Sequence, residues 1–484
     1  MGEQSLKEKT AKGLFWGGVS NGVQQVLNLL FGLVLARILN AEDYGMVGML
    51  AIFSAIAGTI QESGFTAALA NQKEIRHEDY NAVFWFSVLT GVVFYVLLFC
   101  CAPLIAAFYG KEELVGLSRI LFIGFLLGGV GIAPNAYLFK TLMVKERAKI
   151  DVFSLICSGA VGVTLALNGF AYYGLAIQTT TYIGVGSLLK LCYSPWKPSF
   201  TFNWHPLKSM FGFSSKLILT NIFTQINNNL FSVVIGKFYT PTQLGFYSQG
   251  QKWMGMGHML IGGMITGVAQ PVLVEVKEDA EREARIFRKM VRFGAFVSFP
   301  AMLGLAFVAP EFIEILLGSK WMESVPFLQL FCLLGAIGYM WNLYTNLMVG
   351  HGRSDVYLGG IVLTGILQLA AVVATCSWGI YAMVVGYIVV YYACFVYWQY
   401  FAQKYVPITF FQIAKDIVPY LAVTLLAIFC GFWVSTFCEW VYLRFMIKGI
   451  VFLAVYLLLM WGSGSVTFRE SLQFLLRKLP KRHC

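Results

Sequence analysis

The sequence predicts an all-α polytopic membrane protein of about 14 transmembrane helices, with two parallel six-helix repeats forming two lobes and two extra C-terminal helices. Composition is the first reason. Of 484 residues, 58% are hydrophobic and 12% charged, with a mean hydropathy of +0.70. A water-facing surface is ordinarily about one-quarter charged, so this surface belongs in lipid. The second reason is length: apolar stretches of roughly the 20 residues that cross a bilayer recur along the whole chain. The alternation over about ten residues that marks membrane barrel strands is absent. The third reason is an internal repeat at a spacing of 200 residues.

In chain order, the first half offers spans near 14–37, 45–69, 82–108, 118–142, 150–171 and 173–193. The segment Ser194–Pro206 follows, with three prolines among aromatic residues, and reads as the linker between lobes. The second half offers spans near 211–237, 245–270, 290–309, 327–349, 356–376 and 378–400. Spans near 416–436 and 445–463 have no counterpart in the repeat and read as an appendage. The expected domains are therefore 1–205, 206–402 and 403–484. The mixed-charge run Glu275–Lys289 reads as a solvated helix between spans.

Placing the N-terminus in the cytoplasm puts 26 Lys and Arg on or near that side and seven opposite, with Lys216 and Lys252 inside spans. That is the positive-inside bias, and it puts both termini in the cytoplasm of a bacterial inner membrane protein. The same topology accounts for the net charge of +11, because the basic residues are spread over short loops rather than gathered on one face. Nucleic acid is not an expected partner. The first apolar stretch is too long and too polar for a cleavable signal, so it reads as a retained helix.

The repeat is carried by letters that share a helical face. Residues 21–45 laid over 221–245 match at Asn21, Gln25, Asn28, Leu30, Phe31, Val34 and Gly45, which meet Asn221, Gln225, Asn228, Leu230, Phe231, Val234 and Gly245. Chance would give about two identities in such a window. Six spans separate the copies, an even number, so the halves are parallel and enclose a site about an axis along the membrane normal. Asn21, Gln25 and Asn28 recur at i, i+4 and i+7, as do Asn221, Gln225 and Asn228. Such amides can glue helices together or line a hydrated cavity; duplication of the stripe favours the cavity.

Ionisable groups inside spans are costly and therefore suspects for function. Lys252 stands about eight residues into the eighth span, roughly 12 Å deep at 1.5 Å per residue. Glu62 is the matching anion in the second span, a candidate for a coupling ion or a charge partner. Lys216, Arg37 and Lys237 lie nearer helix ends, where snorkelling competes with a site role. The ten cysteines and five histidines show no metal-ligand spacing, and no cofactor is expected. No nucleophile–base set or phosphate loop emerges, so an enzyme is not expected.

The motifs GLFW at 13–16, ARIL at 36–39, AEDYG at 41–45, ESGFTAAL at 62–69, NAVFWF at 81–86, LLGSKW at 316–321 and VPFLQLF at 325–331 resemble the polysaccharide-transport branch of the multidrug/oligosaccharidyl-lipid/polysaccharide exporter superfamily. The resemblance runs over nearly the whole chain. It implies a flippase that carries an undecaprenyl-pyrophosphate-linked oligosaccharide across the inner membrane for lipopolysaccharide, capsule or exopolysaccharide synthesis, alongside glycosyltransferases and a polysaccharide polymerase; a pathway between lobes of one chain requires only a monomer. Lys252 and Lys216 would then receive the pyrophosphate, and the six stripe amides would bond sugar hydroxyls. A cation-coupled drug exporter of the same superfamily and a membrane polysaccharide polymerase are the rivals. The first would favour acidic cavity residues, and the second a large outer loop rich in Arg or His.

Overall fold

The computed structural model describes residues 3–62, 65–66, 69, 75–201 and 203–478, and their side chains apart from those of residues 3–15, 206, 209–217, 220, 260, 264–268 and 474–478. All regular structure among the described residues is helical. The protein is an all-α membrane protein: among the described residues eleven helices are long and apolar enough to cross a bilayer, and Ala171–Tyr193, His205–Phe238 and Pro241–Val276 have the length. The chain packs as two compact units, Met1–Gly245 and Phe246–Cys484.

The first unit contains α1 (Glu3–Ile38), α2 (Ala41–Glu62), α3 (His77–Tyr109), α4 (Leu114–Leu121), α5 (Ile123–Lys140), α6 (Val144–Leu167), α7 (Ala171–Tyr193) and α8 (His205–Phe238). The first turn of α9 (Pro241–Val276) also belongs to it. Local chemistry sets the breaks. Asp43 accepts a hydrogen bond from the Asn40 amide at 2.9 Å between α1 and α2. Asp79 accepts from the Arg76 amide at 2.8 Å where α3 begins. Gly110 ends α3 at φ +69°, where only glycine is unstrained. Helices α4 and α5 continue as one span, Leu114–Lys140.

The glycines shared by the repeat meet in space. A Cβ on Gly45 would lie 1.8 Å from the Pro241 carbonyl oxygen, and one on Gly245 would lie 1.8 Å from the Ala41 carbonyl oxygen. The contact is reciprocal, backbone against backbone, where α2 crosses the start of α9. Further along, Tyr109 donates to the Met49 carbonyl at 3.0 Å, and Gly236 of α8 faces both side chains.

The proline-rich linker is strapped to α3. Asn81 accepts from the Ser199 amide at 2.9 Å and donates to the Thr201 carbonyl, while Trp85 donates to the Ser199 carbonyl at 2.7 Å. Trp196 is buried in an aromatic cluster with Tyr80 and Phe84, and Phe65 belongs to the same core. His77, Asn81 and Trp85 recur one turn apart, so a single face of α3 holds the segment. Two of the residues in NAVFWF thus acquire a structural duty.

The second unit contains the rest of α9, then α10 (Ala280–Leu316), α11 (Val325–Gly350), α12 (Ser354–Thr375), α13 (Ile380–Ala393), α14 (Phe395–Ala402), α15 (Phe410–Ser435), α16 (Val441–Gly462) and α17 (Val466–Lys478). Helix α10 is its spine. Ser298 donates to the Ala336 carbonyl at 2.9 Å, Tyr339 to Val291 at 3.2 Å, and Tyr456 to Phe296 at 2.7 Å. Two ion pairs tie the last helices to it. Arg288 holds Asp416 of α15 at 2.6 Å, joined by Arg292 at 3.1 Å, and Lys448 of α16 meets Glu311 at 2.7 Å with both side chains nearly buried. The two C-terminal spans are thus bound into the unit rather than loosely appended.

One expectation changes here. The run Glu275–Lys289 is not one solvated helix: α9 ends at Val276, Asp279 caps α10 by accepting from the Arg282 amide at 3.0 Å, and Glu283 is buried against His351 at 3.0 Å. The first turn of α10 packs on the end of α11, which turns one face of the charged run inward. Lys448, within the span expected at 445–463, lies inside α16, where Glu311 compensates its charge.

Gly45→Ala should lower stability by about 3 kcal/mol or more, because backbone cannot yield as a side chain can. Gly255, with open space around it, supplies the control: Gly255→Ala should be neutral or stabilising by up to about 1 kcal/mol. Thermal midpoints in detergent decide between them. Glu311→Ala should cost about 3–5 kcal/mol by stranding Lys448, and Glu311→Leu combined with Lys448→Met should recover most of it. Equal losses in both would mean that the ion pair is not what holds α16.

Candidate functional site

A cavity of about 310 Å³ lies inside the first unit among α2, α5, α6 and α7. Its walls carry Glu62 and Thr66, Asn135 of α5, Asp151 and Ser154 of α6, and Tyr182, Ser187 and Lys190 of α7. Small residues make the room: Gly58, Gly128, Gly131 and Gly186 line it. At Gly131 a Cβ would strike Ser187 at 2.5 Å, so α5 and α7 approach closely there. Gln61 fixes the mouth. Its amide, 4% exposed, donates to the Phe125 carbonyl at 2.7 Å and faces the Ser87 carbonyl at 3.4 Å, filling space that Gly91 and Gly129 leave. Helix α2 is thereby pinned to α3 and α5, and the next residue, Glu62, is exposed to the cavity.

The cavity holds charge of both signs. The Lys190 ammonium acts on Asp151 and Glu62, and Arg147, one turn before Asp151, acts on both Asp151 and Lys190. Among the described residues Glu62, Asp151 and Lys190 make no direct ion pair, unlike the structural pairs of the second unit. Two carboxylates, one ammonium, hydroxyls and amides thus border one space among long apolar helices. Such a set can hydrogen-bond a polyol, hold a cation between carboxylates, or pass a proton between them.

The stripe residues occupy matching environments. Asn21 and Asn28 are exposed and Gln25 half-buried on α1, and Asn221, Asn228 and Gln225 follow the same pattern on α8. Exposure of the flanking asparagines argues against helix-to-helix glue. Lys252 is exposed on α9; one turn earlier Gln249 is 1% exposed, with neither amide atom partnered among the described residues. Arg37 is exposed in the last turn of α1. Lys237 donates to the Phe108 carbonyl and sits 4.8 Å over the Phe108 ring, where it completes the end of α3. Lys216 lies in α8, with its side chain outside the described residues.

Sequence reading found Glu62 and missed Asp151 and Lys190. Both stand near predicted span ends, where a charge reads as a snorkelling one, and they converge only because α6 and α7 pack antiparallel. Gln249 gave no signal either, since its repeat counterpart is Met49.

Among the described residues, long apolar helices and a polar, charge-bearing cavity define a polytopic membrane protein. The fold agrees with solved transporters: the lipid II flippase MurJ in an inward closed conformation aligns with a TM-score of 0.75 at 14% identity, covering 94% of this chain and 99% of that one. An inward-facing multidrug resistance MATE family transporter of the MOP superfamily aligns at 0.62 and 15% identity, covering 79% and 95%. The family described as polysaccharide biosynthesis protein matches residues 34–326, more than half of the chain, and the protein belongs to it. Similar curated proteins are the teichuronic acid biosynthesis protein TuaB of Bacillus subtilis (strain 168), 26% identical over 390 residues, 78% of this chain and 80% of that one. The lipopolysaccharide biosynthesis protein WzxC of Escherichia coli (strain K12) is 25% identical over 377 residues, 76% and 75% of the two chains.

Gln61→Leu should cost about 1–2 kcal/mol through the lost amide bonds to α3 and α5. A thermal midpoint in detergent equal to that of the unaltered protein would show that the amide does not pin α2.

Proposed function

We propose that the protein flips an undecaprenyl-pyrophosphate-linked oligosaccharide repeat unit from the cytoplasmic to the periplasmic leaflet of a bacterial inner membrane, for surface polysaccharide synthesis. The observation that carries this reading is the cavity of Glu62, Asn135, Asp151, Tyr182 and Lys190 inside a transmembrane unit of a polysaccharide biosynthesis family member. A sugar head group needs amides, hydroxyls and charges at membrane depth, where water is scarce and unpaired polar groups cost several kcal/mol. The names of TuaB, WzxC and the lipid II flippase support the same class of cargo.

In this reading the exposed stripes of α1 and α8 bond sugar hydroxyls, and Lys252 attracts the pyrophosphate, with Lys216, Arg37 and Lys237 as further cations along the route. The repeat halves, 1–205 and 206–402, are the lobes that alternate, with 403–484 carried by the second. Interior-negative potential favours outward movement of an anion by about 2.3 kcal/mol per charge per 100 mV. Glu62, with Asp151 lining the same cavity, is the candidate for an ion or proton that couples to the cycle. Those two carboxylates also favour a second reading, export of cationic drugs by coupled exchange.

Depletion of the protein should trap lipid-linked oligosaccharide in the cytoplasmic leaflet, read by leaflet-specific labelling. Changed drug susceptibility with unchanged leaflet distribution would select the drug exporter instead. Lys252→Ala, which removes one charge-assisted contact of about 1.5–3 kcal/mol, should slow flipping by about 10- to 100-fold in vesicles while leaving the thermal midpoint within about 2 °C. Full flipping by that variant would remove Lys252 from the route.

A further inference from the structure

A second cavity, of about 470 Å³, opens in the other unit where α10, α15, α16 and α17 meet, and the transport reading makes no use of it. Its charges are uneven. Arg288 grips Asp416 at 2.6 and 3.1 Å through two nitrogens and neutralises it, and Lys289 pairs with Glu470 at 2.6 Å. Arg292 keeps one contact to Asp416 and is 38% exposed, and among the described residues Lys415 has no carboxylate partner. Two positive charges are therefore in excess at the mouth.

The remaining walls divide by polarity. Ser463, Ser465 and Thr467 supply hydroxyls on one side, and Pro419, Val423 and Met460 form an apolar floor. Such a cavity fits a phosphate at its mouth with a chain running inward along the floor. Its surroundings place it at the membrane surface. Phe411, one turn before Lys415, and Trp461, next to Met460 in the chain, are exposed, as interfacial aromatics are. Helix α17 borders it, held by Thr467 to Tyr420 at 2.8 Å and by Glu470 to Lys289. Its sequence, VTFRESLQFLLRK, alternates apolar and charged residues at helical spacing, as helices lying in an interface do.

We propose that this cavity binds the head group of a resident anionic phospholipid of the cytoplasmic leaflet, with Lys415 and Arg292 on the phosphodiester. Basic pockets between transmembrane helices on that side recognise such lipids. Its occupant joins α15 and α17 to α10, adding to the two ion pairs already there.

The test uses the full-length purified protein after lipid removal, with phosphatidylglycerol or phosphatidylcholine added back. Phosphatidylglycerol should raise the thermal midpoint by about 3–5 °C more than phosphatidylcholine, and Lys415→Glu should lose most of that difference. Native mass spectrometry should count at least one tightly retained phosphatidylglycerol in the unaltered protein and several-fold less in Lys415→Gln, which keeps the surface polar. Equal response to both lipids in the unaltered protein overturns the proposal whatever the variants do. A charge-dependent response to undecaprenyl pyrophosphate without one to phosphatidylglycerol also overturns it, since the cavity would then belong to the cargo. A failed flipping assay leaves this reading intact, because no step of the test depends on transport.

Discussion

Charge buried between helices has to be compensated, and that constraint sorts the ionisable residues of this chain into two kinds. Lys448 with Glu311 and Asp416 with Arg288 and Arg292 are compensated by direct contact, and Glu283 is hydrogen-bonded to His351. Desolvation makes such pairs weak sources of stability, yet breaking one is expensive. They therefore act as registers that fix which helix faces which. Glu62, Asp151 and Lys190 share a cavity without direct pairing, and Lys252 is exposed on α9. A charge without a direct ion pair ties no helix to another, which is why function is sought there.

The repeat obeys the same economy of contact. Gly45 and Gly245 are shared because each lets its own backbone touch the other copy's, so identity at this position is enforced by sterics. The asparagine stripes are shared for another reason, because the exposed Asn21, Asn28, Asn221 and Asn228 pack against little. The repeat thus carries two kinds of shared residue: packing residues at the crossing and polar residues along the accessible faces.

Helices were legible because lipid demands long apolar runs, and the repeat because its letters stayed in register. The Glu62 cavity was half legible. Glu62 announced itself in mid-span, whereas Asp151 and Lys190 stand near helix ends and become neighbours only through tertiary packing. The ion pairs were hidden for a related reason: Arg288 and Asp416 are separated by 128 positions and Glu311 and Lys448 by 137. No local periodicity couples residues so far apart. The linker illustrates the opposite failure. Its prolines signalled a break in helix, which it is, but Asn81 and Trp85 turn that break into a fixed strap.

These ties bear on what can move within the second unit. Helix α10 is joined to α11 by Ser298 and Tyr339, to α15 by Arg288 and Arg292, to α16 by Glu311 and Tyr456, and to α17 by Lys289. The ties are spread from the first turns of α10 to its last, so tilting the helix about either end strains several at once. Shearing α15 past α10 would strand the Asp416 carboxylate, and shearing α16 would strand Lys448, each at several kcal/mol. Motion costs least when α10, α15 and α16 travel as one body. The two final spans are then part of what α10 carries, although nothing in the repeat required them.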